Sequence, residues 1–385
     1  MNCPLCKQDN PRPLFEREQV PVHQHLLYPT PALARKTPWG KLAVVVCPHC
    51  HFVYNSEFDL SLMNYGQAYD NNQTYSPAFM AHLDERIDYL LQKPEFKRGN
   101  LLEVGCGNGD FLLRLMQRTP PEIQAWGFDP SYQGPETHLQ GRVGFSRETL
   151  EKARLPEQAD AVICRHVIEH IAQPAAWLQL LRHTLLPFPK VKLYFETPAL
   201  EWILAGQVFW DFFYEHCNYF LESTLSRLFE RAGFRVESAQ RIFGDQYHWF
   251  ELSLAEPNLT LPEAGPIPTE VWAYQTQEPV LLAAWRQRLT QLRQAGPLAI
   301  WGAGAKGVTL AGLLDPNQEL VDCIIDLNPH KQGGYLPGTG HPIIAPAQLA
   351  ERGIVSCLLM NPQYEHEIRD LLSELKLSPH LELPV

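Results

Sequence analysis

The stretch Leu101–Met116, LLEVGCGNGDFLLRLM, constrains this chain most. An apolar run meets Glu103, glycines follow at Gly105, Gly107 and Gly109, and an amphipathic helix pattern takes over. Glycines at that spacing permit a tight turn and let a ligand approach the backbone, and the helix behind them opens with free N–H groups. Cys106 lies inside the same loop and is counted among the candidate cofactor contacts. Twenty residues past Gly109 the run IQAWGFD ends in Asp129, where a carboxylate is placed to accept both hydroxyls of a ribose. A nucleotide-like cofactor in an α/β fold is predicted, and a dinucleotide fold shares all these features.

Two details move the reading away from a dinucleotide. An acid, Glu103, closes the strand before the first glycine, and a third apolar strand leads into Arg165, His166, Glu169 and His170 (ADAVICRHVIEHI) ahead of a helix pattern. The region ends as helix (STLSRLFERAGF), strand (FRVESAQRIF) and strand (YHWFELSL). This pattern resembles the class I methyltransferases over residues 99–256. The resemblance implies a central seven-stranded Rossmann-like sheet, its last strand antiparallel, and S-adenosylmethionine as cofactor. It implies that Glu103 and the backbone of Gly105–Gly109 hold the methionine part and Asp129 the ribose. Arg165 and His166 then sit beside the reactive end. For Glu169 and His170, shaping the helix start and taking part in chemistry are equal readings.

The N-terminus carries two CxxC pairs, Cys3/Cys6 and Cys47/Cys50. Zn²⁺ takes four thiolate or imidazole ligands in a tetrahedron, and each pair supplies two. The spacer between them, residues 7–46, is longer than in a usual zinc ribbon and has to fold back as an inserted lobe. His23, His25, His49 and His51 are substitute ligands, and free surface thiols are the bland alternative. Four protein ligands leave no open position, so a structural site is expected.

A second glycine loop, LAIWGAGAKGVTL, holds Gly302, Gly304 and Gly307, and VDCIID ends in Asp326 nineteen residues later. By itself this is a dinucleotide fingerprint, so an NAD-binding module competes as a reading. Lys306 inside the loop is suited to neutralise a phosphate. The combination AGAKGVTL then DLNPHKQGGYLPGT resembles the C-terminal domain of the sugar C-methyltransferases, which alkylate a carbon of nucleotide-linked deoxy-keto-sugars. Their layout is a zinc lobe, a methyltransferase domain and a C-terminal nucleotide-fold domain that closes over the substrate. The resemblance covers nearly the whole chain. It implies a small-molecule substrate, a nucleotide-linked sugar, with Gly304, Lys306, Asp326 and Lys331 as contacts. Gln246, in the loop GDQYHWF before the last strand, joins them.

The segment FFYEHCNYF, residues 212–220, carries the candidate chemistry. A carbon beside a carbonyl attacks a sulfonium methyl once it is deprotonated to an enolate. That needs a base near working pH and a group to steady the enolate oxygen. By resemblance His216 is the base and Glu215 supports it. Period-two alternation puts Tyr214 on the same side as His216. The family carries Tyr-x-Glu-His, whereas the position three before His216 is Phe213 here and the tyrosine falls at 214. A family tyrosine from the segment ahead of the methyltransferase domain matches Tyr75 best, with Tyr65 and Tyr69 as neighbours. The structural alternative is that the cluster packs aromatics and starts the helix near Glu222.

The 385 residues predict several domains, divided as 1–58, 59–98, 99–256 and 257–385. A formal charge of −11 argues against a nucleic-acid partner, and with it against an RNA methyltransferase. No apolar run reaches the roughly 18 residues of a membrane span, and MNCPLCKQDN does not read as a secretory signal. A cytoplasmic protein, a monomer or weak homo-oligomer, is expected. O- or N-methylation of a small molecule on the same scaffold remains the alternative activity.

Overall fold

The structure, a computed structural model, describes residues 2–63, 72–258 and 265–383. Tyr65 and Tyr69 lie outside them. The spacer between the cysteine pairs builds a sheet. Strands β1 (Arg12–Pro21), β2 (Trp39–Val46) and β3 (Val53–Asn55) run antiparallel, with a short helix α1 (Pro31–Ala34) in the first connection. From Ala43 to Val46 the second strand is buried on both faces, as its unbroken apolar run requires. Helix α2 (Pro77–Leu91) follows, its N-terminus fixed by Ser76, whose hydroxyl accepts from the Phe79 amide, and by Pro77 in the first turn.

Next come β4 (Asn100–Val104), α3 (Asp110–Met116), β5 (Gln124–Phe128), β6 (Thr137–His138), β7 (Val143–Ser146), β8 (Ala161–Arg165), α4 (Pro174–Leu185) and β9 (Lys192–Pro198). Helix α5 (Leu200–Ala205) leads to β10 (Asn218–Tyr219), which leaves this layer and pairs with β3 through Asn218 and Tyr54. Helix α6 (Glu222–Ala232) precedes the hairpin β11 (Phe234–Ile242) and β12 (Tyr247–Leu254). The sheet order is β11-β12-β9-β8-β4-β5-β7-β6. Its five inner strands β9, β8, β4, β5 and β7 are parallel, and β12 runs antiparallel to both β9 and β11. The two-residue β6 adds an antiparallel edge to the seven strands expected. The chain reverses its winding where β4 lies between β5 and β8, and the crevice outside the strand ends there is where such sheets bind ligands.

The C-terminal part contains α7 (Thr269–Ala295), β13 (Leu298–Trp301), α8 (Ala305–Leu314), β14 (Cys323–Ile325), β15 (Ile343–Ile344), β16 (Ser356–Leu359), α9 (Glu365–Glu374) and β17 (His380–Glu382). Its all-parallel sheet runs β15-β14-β13-β16-β17. Among the described residues no helix is long and apolar enough to cross a membrane.

The aromatic segment joins the pieces. Phe209, Trp210, Phe212 and Tyr214 share one core with Leu42 and Val44 of the lobe, Tyr274 of α7 and Ile300 and Val308 of the C-terminal part. Arg17 pins this junction. It is buried, its Nε donates to Glu278 of α7 at 2.9 Å, and Nη2 and Nη1 donate to the carbonyls of Phe209 at 2.8 Å and Phe212 at 2.5 Å. A buried guanidinium is tolerated because its charge and its donors are matched in this way.

Candidate active site

The first glycine loop connects β4 to α3. Gly105 has φ +70°, and a Cβ there would fall 2.2 Å from Val167 Cγ2, so only glycine lets the segment after β8 close against the loop. Asp129 Oδ2 accepts from the Gly107 amide at 2.8 Å, and its Oδ1 accepts from Ser131. Glu103 is buried, its Oε2 has no hydrogen-bond partner, and burial pushes its carboxyl up to about 8. Arg165 stands nearby with Nε donating to Glu196 at 2.7 Å, while Nη2 has no partner. One carboxylate oxygen and one guanidinium nitrogen are thus left over beside the loop.

His166 sits at the end of β8 with φ +53°, a left-handed conformation uncommon for a histidine. Its amide donates to the Glu196 carbonyl at 2.8 Å, and its ring lies between Glu196 Oε1 at 3.2 Å and Glu169 Oε1 at 3.3 Å. Burial works against its charge, but the two carboxylates outweigh it and push the imidazole up to about 9. Glu196, also bonded to His82 of α2 at 2.9 Å, is held well below the usual carboxylate range. Burial opposes this, and Arg165, His166 and His82 overcome it.

From His166 a cavity of about 300 Å³ runs between the central and C-terminal sheets. His170, Phe213, Glu215 and His216 line one side, and Gly302, Gly304, Lys306, Asp326 and Lys331 line another. Tyr75 and Gln246 also face it. Lys306 forms an ion pair with Asp211 and lies over the Trp202 ring, 4.9 Å from its centroid. Asp326 Oδ2 accepts from the Ala303 amide at 2.8 Å, and Lys331 Nζ donates to the Ala303 carbonyl at 3.1 Å. Gln246 Oε1 accepts from Asn361 at 2.8 Å, which joins the last hairpin to the C-terminal part. Ser76, beside Tyr75, donates to Glu367 of α9 at 2.8 Å.

The triplet Tyr214–Glu215–His216 does not act as one group. A turn at Tyr214–Glu215 breaks the alternation, and Tyr214 is turned away from the cavity. Its hydroxyl accepts from the Asp59 amide at 2.8 Å, and its ring covers Gly40, where a Cβ would fall 2.3 Å away. Tyr214 is therefore a core residue, contrary to the expectation that it shares a face with His216. The cavity residue is Phe213, with its ring centroid 4.1 Å from that of His216. Glu215 accepts from the Gln24 amide at 2.8 Å and lies 3.4 Å from His23, so both interactions reach into the lobe. Near His216 the structure also brings in Glu169 and His170. One ring nitrogen of each histidine and one Glu169 oxygen lie within 4.8 Å of one another. The sequence had left these two residues ambiguous. Burial, with His170, His166, Lys306 and His25 around it, drives the His216 imidazole well below its ordinary range, so it is neutral.

At the other end of the chain the four cysteines converge. Cys3 and Cys50 sulfurs are 3.6 Å apart, and those of Cys6 and Cys47 3.5 Å. A tetrahedron with metal–sulfur bonds of about 2.3 Å has edges of about 3.8 Å, so the set fits a tetrathiolate centre.

A family described as "Methyltransferase domain" matches residues 75–239, and one described as "C-methyltransferase C-terminal domain" matches residues 273–377. The chain is an S-adenosylmethionine-dependent methyltransferase. The two matched domains, in this order, place the methyltransferase with the C-methyltransferase family. It is 25% identical over 397 residues to C-methyltransferase NovU of Streptomyces niveus, a match spanning 96% of this chain and 91% of that protein. A ubiquinone biosynthesis O-methyltransferase of Xylella fastidiosa (strain M23) is 28% identical over 110 residues, 26% of this chain and 44% of that protein. Among solved structures, the methyltransferase is similar to N,N-8-amino-8-demethyl-D-riboflavin dimethyltransferase (RosA) from Streptomyces davawensis. The two share 19% identity, with 46% of this chain and 56% of that one covered and a TM-score of 0.36.

Proposed function

We propose that this methyltransferase methylates a carbon beside a carbonyl of a small, nucleotide-linked keto-sugar, with His216 as the base. The observation that carries this reading is the single cavity with His216 on one wall and the second glycine loop on the other. Bound S-adenosylmethionine supplies a methyl group made electrophilic by its sulfonium. Glu103, the Gly105–Gly109 backbone and Arg165 hold the amino-acid end of that cofactor: the unpartnered carboxylate oxygen suits an ammonium, and the unpartnered guanidinium nitrogen suits a carboxylate. Asp129 takes the ribose. His166 steadies the turn beside the reactive end, with its ring between the Glu169 and Glu196 carboxylates.

His216, neutral and at the cavity wall, draws the proton from the carbon. Lys306, with a third N–H beyond its pair to Asp211, supplies positive charge to the nucleotide or to the developing oxyanion. Gly304, Asp326, Lys331 and Gln246 line the space left for the nucleotide, and Tyr75 and Phe213 bound the sugar end. Residues 257–385 close over the substrate in this reading. The four cysteines hold a structural Zn²⁺.

The test is product analysis. With S-adenosylmethionine and a nucleoside diphosphate-linked 6-deoxy-4-ketohexose, the product is expected to carry its new methyl on a ring carbon. A methyl on oxygen or nitrogen overturns the assignment, and calorimetric binding of NAD at micromolar affinity overturns the nucleotide-sugar role of the second loop.

A further inference from the structure

The sequence offers Glu215 as the carboxylate that serves His216, and one of its oxygens, Oε1, accepts from the Gln24 amide of the lobe. A different carboxylate is available. Glu169 is 1% exposed, and Thr197 Oγ1 donates to its Oε2 at 2.9 Å. Its Oε1 has no hydrogen-bond donor, although the His166 ring passes 3.3 Å away. His170 Nδ1 is also buried without a partner, and the His170 ring stands edge-on to that of His216 with centroids 4.8 Å apart. A carboxylate oxygen without a hydrogen bond, though facing the His166 charge, and a bare ring nitrogen in one buried cluster cost free energy. A single added proton removes that cost, because an imidazolium N–H then faces a carboxylate. Proton abstraction delivers that proton.

We propose that Glu169 and His170 form with His216 a three-group relay that takes up the proton His216 removes from the substrate carbon. This rests on the reading of His216 as the base. In the step, the C–H bond breaks, its electron pair stays on the substrate as the enolate, and the proton forms an N–H bond on His216. His216 passes a proton from its other nitrogen to His170, and the cluster ends as an imidazolium facing the Glu169 carboxylate. Glu169 and His170 act through His216 and are positioning residues. The titratable and charged groups around His216 are Glu169 and His170 in the cluster, Glu215 beside it, Lys306 with its partner Asp211 on the cavity wall, His166 after β8 and His25 of the lobe. Glu169 is the carboxylate that shares the 4.8 Å cluster with both rings.

The test uses the full chain with S-adenosylhomocysteine bound and ¹³C-labelled histidine, with His170→Gln and His216→Gln assigning the two ring signals. Between pH 4 and 9 the shared proton, held on His170 against Glu169, is expected to move both signals at one midpoint. In Glu169→Gln that midpoint falls by about one unit or more, and Glu169→Asp restores it to within about half a unit. Methyl transfer to the 6-deoxy-4-ketohexose probe falls about tenfold or more in Glu169→Gln, with S-adenosylhomocysteine affinity within about twofold. Should Glu169→Gln not fold, Thr197→Val, which removes the donor that competes for the same carboxylate, is expected to shift the midpoint the opposite way, upward. Independent titration of the two rings, no titration at all, or a midpoint unmoved by Glu169→Gln overturns the relay. So does tight Zn²⁺ binding that removes both signals from titration, because the cluster is then a metal site. If the wild-type protein never methylates the probe, the sugar reading fails while the ring titrations still decide the relay.

Discussion

Lys306 of the second glycine loop is paired with Asp211 of the aromatic segment, so the two walls of the cavity are tied by one ion pair. Burial already pushes Asp211 above the usual carboxylate range, and Lys306 opposes it. Lys306→Met is expected to lower stability at neutral pH by about 3 kcal/mol, the cost of leaving a buried charge alone. The double variant Lys306→Met/Asp211→Asn recovers most of that stability in urea unfolding. Its affinity for the nucleotide-sugar probe still falls about tenfold, because a charge-assisted contact is lost. Wild-type probe affinity in the double variant would show that the pair is only a strut.

Tyr214→Phe tests the placement of that residue in the core. It removes one hydrogen bond to the Asp59 amide. Stability should drop by about 1 kcal/mol, with turnover unchanged. A large loss of turnover at unchanged stability would return Tyr214 to the chemistry.

Glu103 predicts a pH dependence. Its folded value of about 8 lies above the ordinary carboxylate value. It therefore contributes stability that is present at low pH and lost as pH rises through 8. A ligand ammonium favours the ionised form, so binding expels a proton. S-adenosylhomocysteine affinity, measured by calorimetry, should rise between pH 6 and pH 8 and then level off. Glu103→Gln should make the profile flat and weak. A wild-type affinity independent of pH contradicts this role.

A zinc centre at the four cysteines predicts a lobe that depends on metal. One zinc per chain is expected by elemental analysis, and a strong chelator or Cys47→Ser should unfold the β1–β3 sheet at ordinary temperature, because metal binding there is folding energy. Near-native thermal melting without metal would contradict it.

What the sequence made legible was local. The glycine loops, the cysteine knuckles and the strand–helix alternation are each written in a few adjacent residues, and the elements fold accordingly. The direction of Tyr214 was not legible. Alternation holds only in a strand, and the chain turns there after a helical turn at Phe209–Asp211. Nor was the nearness of Glu169 to His216. Glu169 precedes it by 47 positions, and only the crossing of the segment after β8 with the segment before β10 brings them together. The Arg17–Glu278 pair and the Ser76–Glu367 bond are longer-range still, and neither residue carries a local signature of its partner.

The most direct measurement is deuterium uptake from heavy water at the carbon next to the carbonyl of the keto-sugar probe, with S-adenosylhomocysteine bound so that no methyl can move. The account predicts steady uptake by the wild-type protein and uptake about a hundredfold slower in His216→Gln, with S-adenosylhomocysteine still bound. Uptake by His216→Gln at the wild-type rate contradicts it.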